Sequence, residues 1–231
     1  MGKRKRRAKV HRRNKPKGGL PQPVKLNRAA TAPHIIIGGV SYAGSEWLHI
    51  AINNLAEQAG GLYHSIIEPA RDWQPVADRH VNIIRTTEPR RGIQPAVVLS
   101  PTCNLLDSIA AGLVSSDNLL KHLGQCGSKP SVAAIAELDY WVGLSFDWAS
   151  VADVTIHLDE LLEDPVWYID WLNKMLFNNT EADTAAVLTA VAGGTTKSFD
   201  MRRTALSPWL TEFIATRYAN WFKLNGYEVE V

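Results

Sequence analysis

The chain has 231 residues, 45 % hydrophobic and 21 % charged, an ordinary globular balance that excludes disorder over most of its length as well as collagen-like, coiled-coil and disulfide-scaffold classes. No apolar run approaches the roughly 18 residues of a bilayer span, and no apolar h-region marks an N-terminal secretory signal. The net charge of +2 is what remains of two opposed parts: twelve of the 25 Lys and Arg residues fall in residues 1–28 with no acid, leaving 13 basic against 23 acidic residues beyond them.

The first part reads as a basic arm and linker over residues 1–33. Its cations are Lys3, Arg4, Lys5, Arg6, Arg7, Lys9, Arg12, Arg13, Lys15 and Lys17, followed by Lys25 and Arg28. Val10, Leu20, Val24 and Leu26 are its only large apolar side chains up to residue 28, too few to offset ordering entropy, so the arm is expected to be disordered when free. Without aromatic residues it can neutralise phosphates but not stack on bases, which predicts sequence-independent, salt-sensitive contact with nucleic acid or another polyanion. A solubilising tail folded back on the acidic body is the plainer alternative. A nuclear address or an anionic membrane surface would use the same charges.

The body, residues 34–231, alternates strands and helices. His34–Ile37 is a β-branched run closed by Gly38-Gly39, suited to a buried parallel strand. A helix over about 44–59 presents Trp47, Leu48, Ala51, Ile52 and Leu55 on one face and stops at Gly60-Gly61. Tyr63–Ile67, Val81–Ile84 and Ala96–Leu99 are further strands, and Leu105–Leu113 is a helix. Val151–Leu158 is the last expected strand. Asp164-Pro165 opens a helix to about Phe177, Glu181–Ala192 forms another, and Ser207-Pro208 starts a final one that ends at Asn225-Gly226. Trp167, Trp171, Trp209 and Trp221 fall at helical apolar positions and are expected in the core. This order predicts an α/β domain, a mostly parallel sheet flanked by helices on both faces.

The segment Gly38-Gly39-Val40-Ser41-Tyr42-Ala43-Gly44-Ser45-Glu46 joins the first strand to the first helix. A glycine-rich turn there aims backbone N–H groups and a helix N-terminus at one place, an arrangement suited to an anion. A tight turn that needs glycine for clearance would look the same. It is a poor triphosphate loop: counted from Gly39, the G-x-x-x-x-G-K-[ST] lysine position is Ser45 and the next is Glu46. Glu46 suits a carboxylate held by the helix dipole, or a base.

In this place the chain resembles the sulfotransferase family, whose loop reads P-[KR]-[ST]-G-[ST]-[ST]-W-L where this chain has Ser41 to Leu48. His157-Leu158-Asp159-Glu160-Leu161-Leu162-Glu163-Asp164-Pro165 is similar to the family's Y-E-D-L-L-x-D-P stretch. Leu206-Ser207-Pro208 and Leu224-Asn225-Gly226-Tyr227 resemble its closing helix and L-G-Y end. The resemblance runs over about residues 34–231. It implies a P-loop-like sulfotransferase fold that binds 3′-phosphoadenosine-5′-phosphosulfate (PAPS), with Ser41, Gly44, Ser45 and Trp47 around the phosphosulfate. The family's R-D-P-x-[DN]-x-x-x-S motif for the 3′-phosphate corresponds to Ser100 to Ser108, where Asn104 and Ser108 fit, but Ser100 and Pro101 replace the Arg and Asp. The loop cation is likewise replaced by Tyr42. Arg202 and Arg203 stand where the family uses basic residues on the 3′-phosphate, and Arg85, Arg90 and Arg91 are other substitutes; surface solvation accounts equally for all five.

An acceptor hydroxyl or amine needs a base. The resemblance points to Glu68, after the second strand, with His49 and His64 as alternatives, although a satisfied imidazole is the plainer reading of each histidine. No zinc-spaced cluster and no G-x-S-x-G elbow is present, so neither a metal nor a nucleophilic serine is expected. Two functions follow. One is transfer of a sulfuryl group from PAPS to a hydroxyl or amine. The other is an inactive sulfotransferase-fold scaffold whose arm binds nucleic acid in a larger assembly, such as a virion or another nucleoprotein particle. Cys103 and Cys126 form no framework, so a reducing intracellular compartment is expected, with nucleus and virion compatible.

Overall fold

A computed structural model describes residues 9–12, 34–40, 42–61, 63–67, 81–87, 97–114, 123, 130–194 and 206–230. Its strands are β1 (Lys9–Arg12), β2 (His34–Gly38), β3 (Tyr63–Ile67), β4 (Val81–Thr86), β5 (Val97–Thr102), β6 (Val154–His157) and β7 (Tyr227–Glu230). Its helices are α1 (Ser45–Gln58), α2 (Leu105–Val114), α3 (Val132–Val151), α4 (Leu158–Glu163), α5 (Pro165–Leu176), α6 (Thr184–Gly194), α7 (Pro208–Arg217) and α8 (Ala219–Leu224). The chain divides into two compact units. One comprises residues 20–103 and 144–197, the other residues 1–19, 104–143 and 198–231.

The first unit holds a five-stranded sheet in the order β3-β4-β2-β5-β6, and every pairing is parallel. The expected α/β sheet is thus present. Its central strands read as continuous apolar runs because both faces are covered. Ile35, Ile36, Ile37, Ile83, Ile84, Val97, Val98 and Leu99 are all buried. Helix α1 lays Trp47, Leu48, Ala51, Ile52 and Leu55 inward and packs against α6 and the sheet. A separate cluster of Ile36, Ile84 and Val98 is capped by Trp148, with Ile66 and Ala152 at its margin. Trp148 donates its Nε1–H to the Thr87 carbonyl at 2.8 Å, so its polar edge is satisfied while its rings pack.

The boundaries differ from the sequence reading in three places. Val151 ends α3, and β6 begins only at Val154, after Asp153 has bonded both ways to Val98 (Val98 N–H to Asp153 Oδ2, 2.7 Å; Asp153 N–H to Val98 O, 2.9 Å). Leu158 already belongs to a helix. The final helix is two, broken at Tyr218.

In the second unit, α2, the first part of α3, α7 and α8 accompany a two-stranded sheet of β1 and β7. Asp139 accepts two hydrogen bonds from Arg217 (3.0 and 2.8 Å) and one from the Tyr218 hydroxyl (2.8 Å), tying α3 to the end of α7. The Arg217 hydrogen bonds hold the Asp139 carboxyl below its ordinary range, while burial raises the Tyr218 phenol.

Within the arm, Lys9–Arg12 forms the strand β1. It pairs antiparallel with β7, in a register that sets Lys9 opposite Glu230 and His11 opposite Glu228. The composition of the arm cannot announce this, because the partner strand lies at the other end of the chain. The remaining arm cations lie outside the described residues.

A Cβ added at Gly38 would overlap the Trp148 ring, whereas one at Gly143, inside α3, meets nothing within 4 Å. Gly38→Ala is therefore expected to cost about 2–3 kcal/mol through overpacking. Gly143→Ala is expected to gain about 0.5–1 kcal/mol from helix propensity. Thermal denaturation of the two variants checks the opposite signs.

Candidate functional site

The strand order places a crevice before any side chain is considered. From β2 the chain passes through α1 to β3 and β4 on one side of the sheet, then crosses to β5 and β6 on the other. Connections leaving β2 and β5 thus run in opposite directions, and open α/β sheets bind ligands at the C-terminal ends of such strands. Gly38-Gly39 ends β2 there, beside Pro101 and Thr102 of β5. A Cβ at Gly39 would lie 3.1 Å from the Pro101 carbonyl oxygen, so glycine allows this approach.

Beyond Gly39 the backbone folds tightly. Gly39 N–H donates to Thr86 O (3.3 Å) and Ala43 N–H to Val40 O (3.4 Å). Tyr42 has φ 63° and Gly44 φ 101°, so two left-handed residues turn the chain into α1. A left-handed tyrosine is uncommon and costs about 1–2 kcal/mol. The Cys103 thiol lies 3.6 Å from the Tyr42 carbonyl oxygen it donates to, bracing the turn. No side chain caps α1, and its first helical bond runs from Leu48 N–H to Gly44 O at 3.1 Å. Its N-terminal end is of the kind that attracts anions.

Glu46 occupies the first turn, where the helix dipole favours a carboxylate. Arg85, from the end of β4, brings Nη1 to 4.0 Å from Glu46 Oε1. Among the substitute cations read from the sequence, Arg85 is thus beside the loop; Arg90 and Arg91 lie outside the described residues. Ser45 is buried at the start of α1, and Trp47 packs in the core.

His49 follows one turn later and is only 6 % exposed. Its Nε2 lies 2.7 Å from Ser65 Oγ and 3.5 Å from Asn53 Nδ2. A serine hydroxyl both donates and accepts, so Ser65 satisfies Nε2 in either ring tautomer. Burial, with the Arg85 charge, lowers the His49 pKa to about 4. Ser65 was missed in the sequence reading. Its signal was a polar residue on the same side of β3 as Tyr63 and Ile67, one strand position out of phase with His64.

His64 is half-buried on β3. Asn104 and Ser108 belong to the second unit, and both are buried. There Asn104 caps α2, its Oδ1 accepting from Leu106 N–H at 3.0 Å. Ser41, Glu68, Arg202 and Arg203 lie outside the described residues. Among the described residues, no group of three or more His, Cys, Asp or Glu is placed to hold a metal ion, and no helix is long and apolar enough to cross a membrane.

No protein-family model matches the chain, and no curated protein is detectably similar to it in sequence.

The His49 environment sets a pH dependence. Its pKa in the folded chain, about 4, is below the ordinary value of 6.5, so the unfolded chain binds the proton more readily. Stability from this group is complete above pH 6.5 and is lost as pH falls toward 4, by up to about 1.4 kcal/mol per pH unit. Urea denaturation across this window should show the decline, and His49→Gln should flatten it.

Proposed function

We propose that residues 34–231 are a sulfotransferase-type domain that binds an adenosine nucleotide ending in phosphosulfate, and that the activity is sulfuryl transfer from PAPS to a hydroxyl or amine. The observation that carries the reading is the loop 38–45. It leaves the central strand at the topological switch point and turns through two left-handed residues onto an uncapped helix N-terminus. Order within the resembling segments adds support. His157 to Pro165 leads from β6 into α4 and α5, and Leu224 to Tyr227 closes α8 through Gly226 at φ 75°. Arg85 supplies the cation that Tyr42 cannot. Backbone N–H groups and a guanidinium together stabilise a sulfuryl or phosphoryl group by several kcal/mol when preorganised.

Calorimetric titration with adenosine 3′,5′-bisphosphate tests this. The full chain should bind it, and Gly44→Ala should weaken binding by about tenfold or more. A Cβ there would sit 3.0 Å from Leu158 Cδ1 on a backbone at φ 101°, so the turn must shift. Absence of binding by the unaltered chain at millimolar nucleotide rejects the enzyme reading.

A second reading rests on the segregation of charge, twelve cations before residue 29 and an excess of acids after it. Under it the fold is a scaffold, and the arm contacts nucleic acid or another polyanion inside an assembly, in a reducing compartment such as the nucleus or in a virion. Affinity for duplex DNA should then fall with log salt at a slope near −0.9 per phosphate neutralised. Replacing Arg4, Arg6 and Arg7 with Gln should make that slope shallower by about three times this amount. Filter binding across a salt series measures it.

A further inference from the structure

Residues 158–171 carry exposed side chains to which neither reading above gives a role. They contain Asp159, Glu160, Glu163, Asp164 and Asp170 and no Lys or Arg. On the same two helices, Leu162 is 44 %, Val166 49 % and Trp167 42 % exposed. The sequence placed Trp167 in the core. Instead its ring stacks on that of Trp171, with centroids 6.2 Å apart and planes within 3°. Tyr168 meets both rings edge-on. The Tyr168 hydroxyl donates to Glu160 Oε2 at 2.9 Å, and Asp164 Oδ1 accepts from Trp167 N–H at 3.2 Å. The aromatic group is therefore held in one arrangement on the short α4 and the start of α5.

An exposed, pre-ordered indole bordered by carboxylates has a definite chemical preference. The ring face attracts a guanidinium or ammonium, and Arg fits best because it is planar and weakly hydrated. Carboxylates next to it add charge-assisted hydrogen bonds. Leu162 and Val166 offer apolar ground for the methylene stems of Lys and Arg. The surface thus fits a short, extended, Arg- and Lys-rich segment, and repels nucleic acid.

Such segments are present in every copy of this chain on either side of β1, at residues 3–8 and 13–17. We infer that the α4–α5 face of one copy receives the basic arm of a second copy. Each chain then carries both halves of the contact, a cationic arm and an acidic, aromatic acceptor. The contact is heterologous, so it links copies head to tail and closes into a ring or continues as a chain according to the rotation between them. This inference does not depend on nucleotide binding.

Sedimentation velocity of the nucleic-acid-free full chain is the test. At about 0.05 M salt the weight-average sedimentation coefficient should rise with protein concentration, and at about 0.5 M salt it should not, because the contact is screened. Trp167→Ala and Glu163→Lys should each weaken association by about tenfold or more while the far-ultraviolet circular dichroism of the folded chain is retained. Trp167→Phe should retain most of it. A synthetic peptide of residues 1–28 should compete, dissociating the assemblies and shifting tryptophan emission in the unaltered chain but not in Trp167→Ala. A sedimentation coefficient independent of concentration at low salt overturns the inference. So does association that both surface variants leave intact. If the chain stays monomeric at low salt while the peptide still shifts its tryptophan emission, the face takes a basic segment but the second-copy occupant is wrong.

Discussion

The indole of Trp148 fills the space that a side chain at residue 38 would need, and this exchange of a Cβ for a ring governs the sheet unit. The ring seals Ile36, Ile84 and Val98 on one face of the sheet, and its N–H ties α3 to the residue after β4. Because position 38 has no side chain, β2 can end beneath the ring, between β4 and β5. Gly39 then passes within contact of Pro101. The turn into α1 therefore starts from a fixed point. Its two left-handed residues are affordable only because the strands on either side and the packed face of α1 hold both ends of the turn.

That anchoring shapes the chemistry of the crevice. The helix N-terminus, Glu46 and Arg85 lie together, and the carboxylate and the guanidinium balance one another when no ligand is bound. His49, one turn along, is kept neutral by burial and hydrogen-bonds the Ser65 hydroxyl, so it serves packing and polar satisfaction between α1 and β3. Its neutral state contributes no positive charge to the site.

Much of the sheet was legible in the sequence because buried parallel strands are written as unbroken β-branched runs. His34–Gly38 and Tyr63–Ile67 were read nearly to the residue, and the β2–α1 turn was marked by its glycines. What escaped depended on distant partners. Lys9–Arg12 is polar and has no strand signal of its own; it becomes a strand against residues 227–230. Asn104 fits a phosphate motif and a helix cap equally well by type, and only geometry distinguishes them. Trp167 sits at an apolar helical spacing, yet the short helix α4 and the proline after it turn the start of α5 outward, so periodicity alone placed the ring on the wrong side. Helix α3 was not read at all, since Trp, Phe, Tyr, Asp and Ser recur along it without a clear apolar stripe.

The way the two units share the chain has a consequence for how the protein is made. The sheet unit is complete once residue 197 has left the ribosome, and its five strands can pair while synthesis continues. The other unit joins segments far apart in the chain, and its β1 must wait for β7. Closing that interval is the longest-range step in the molecule and should come late. Throughout elongation the cationic N-terminus would be without its strand partner while lying near ribosomal RNA. The β1–β7 pairing would then mark the moment at which this basic segment acquires its strand partner.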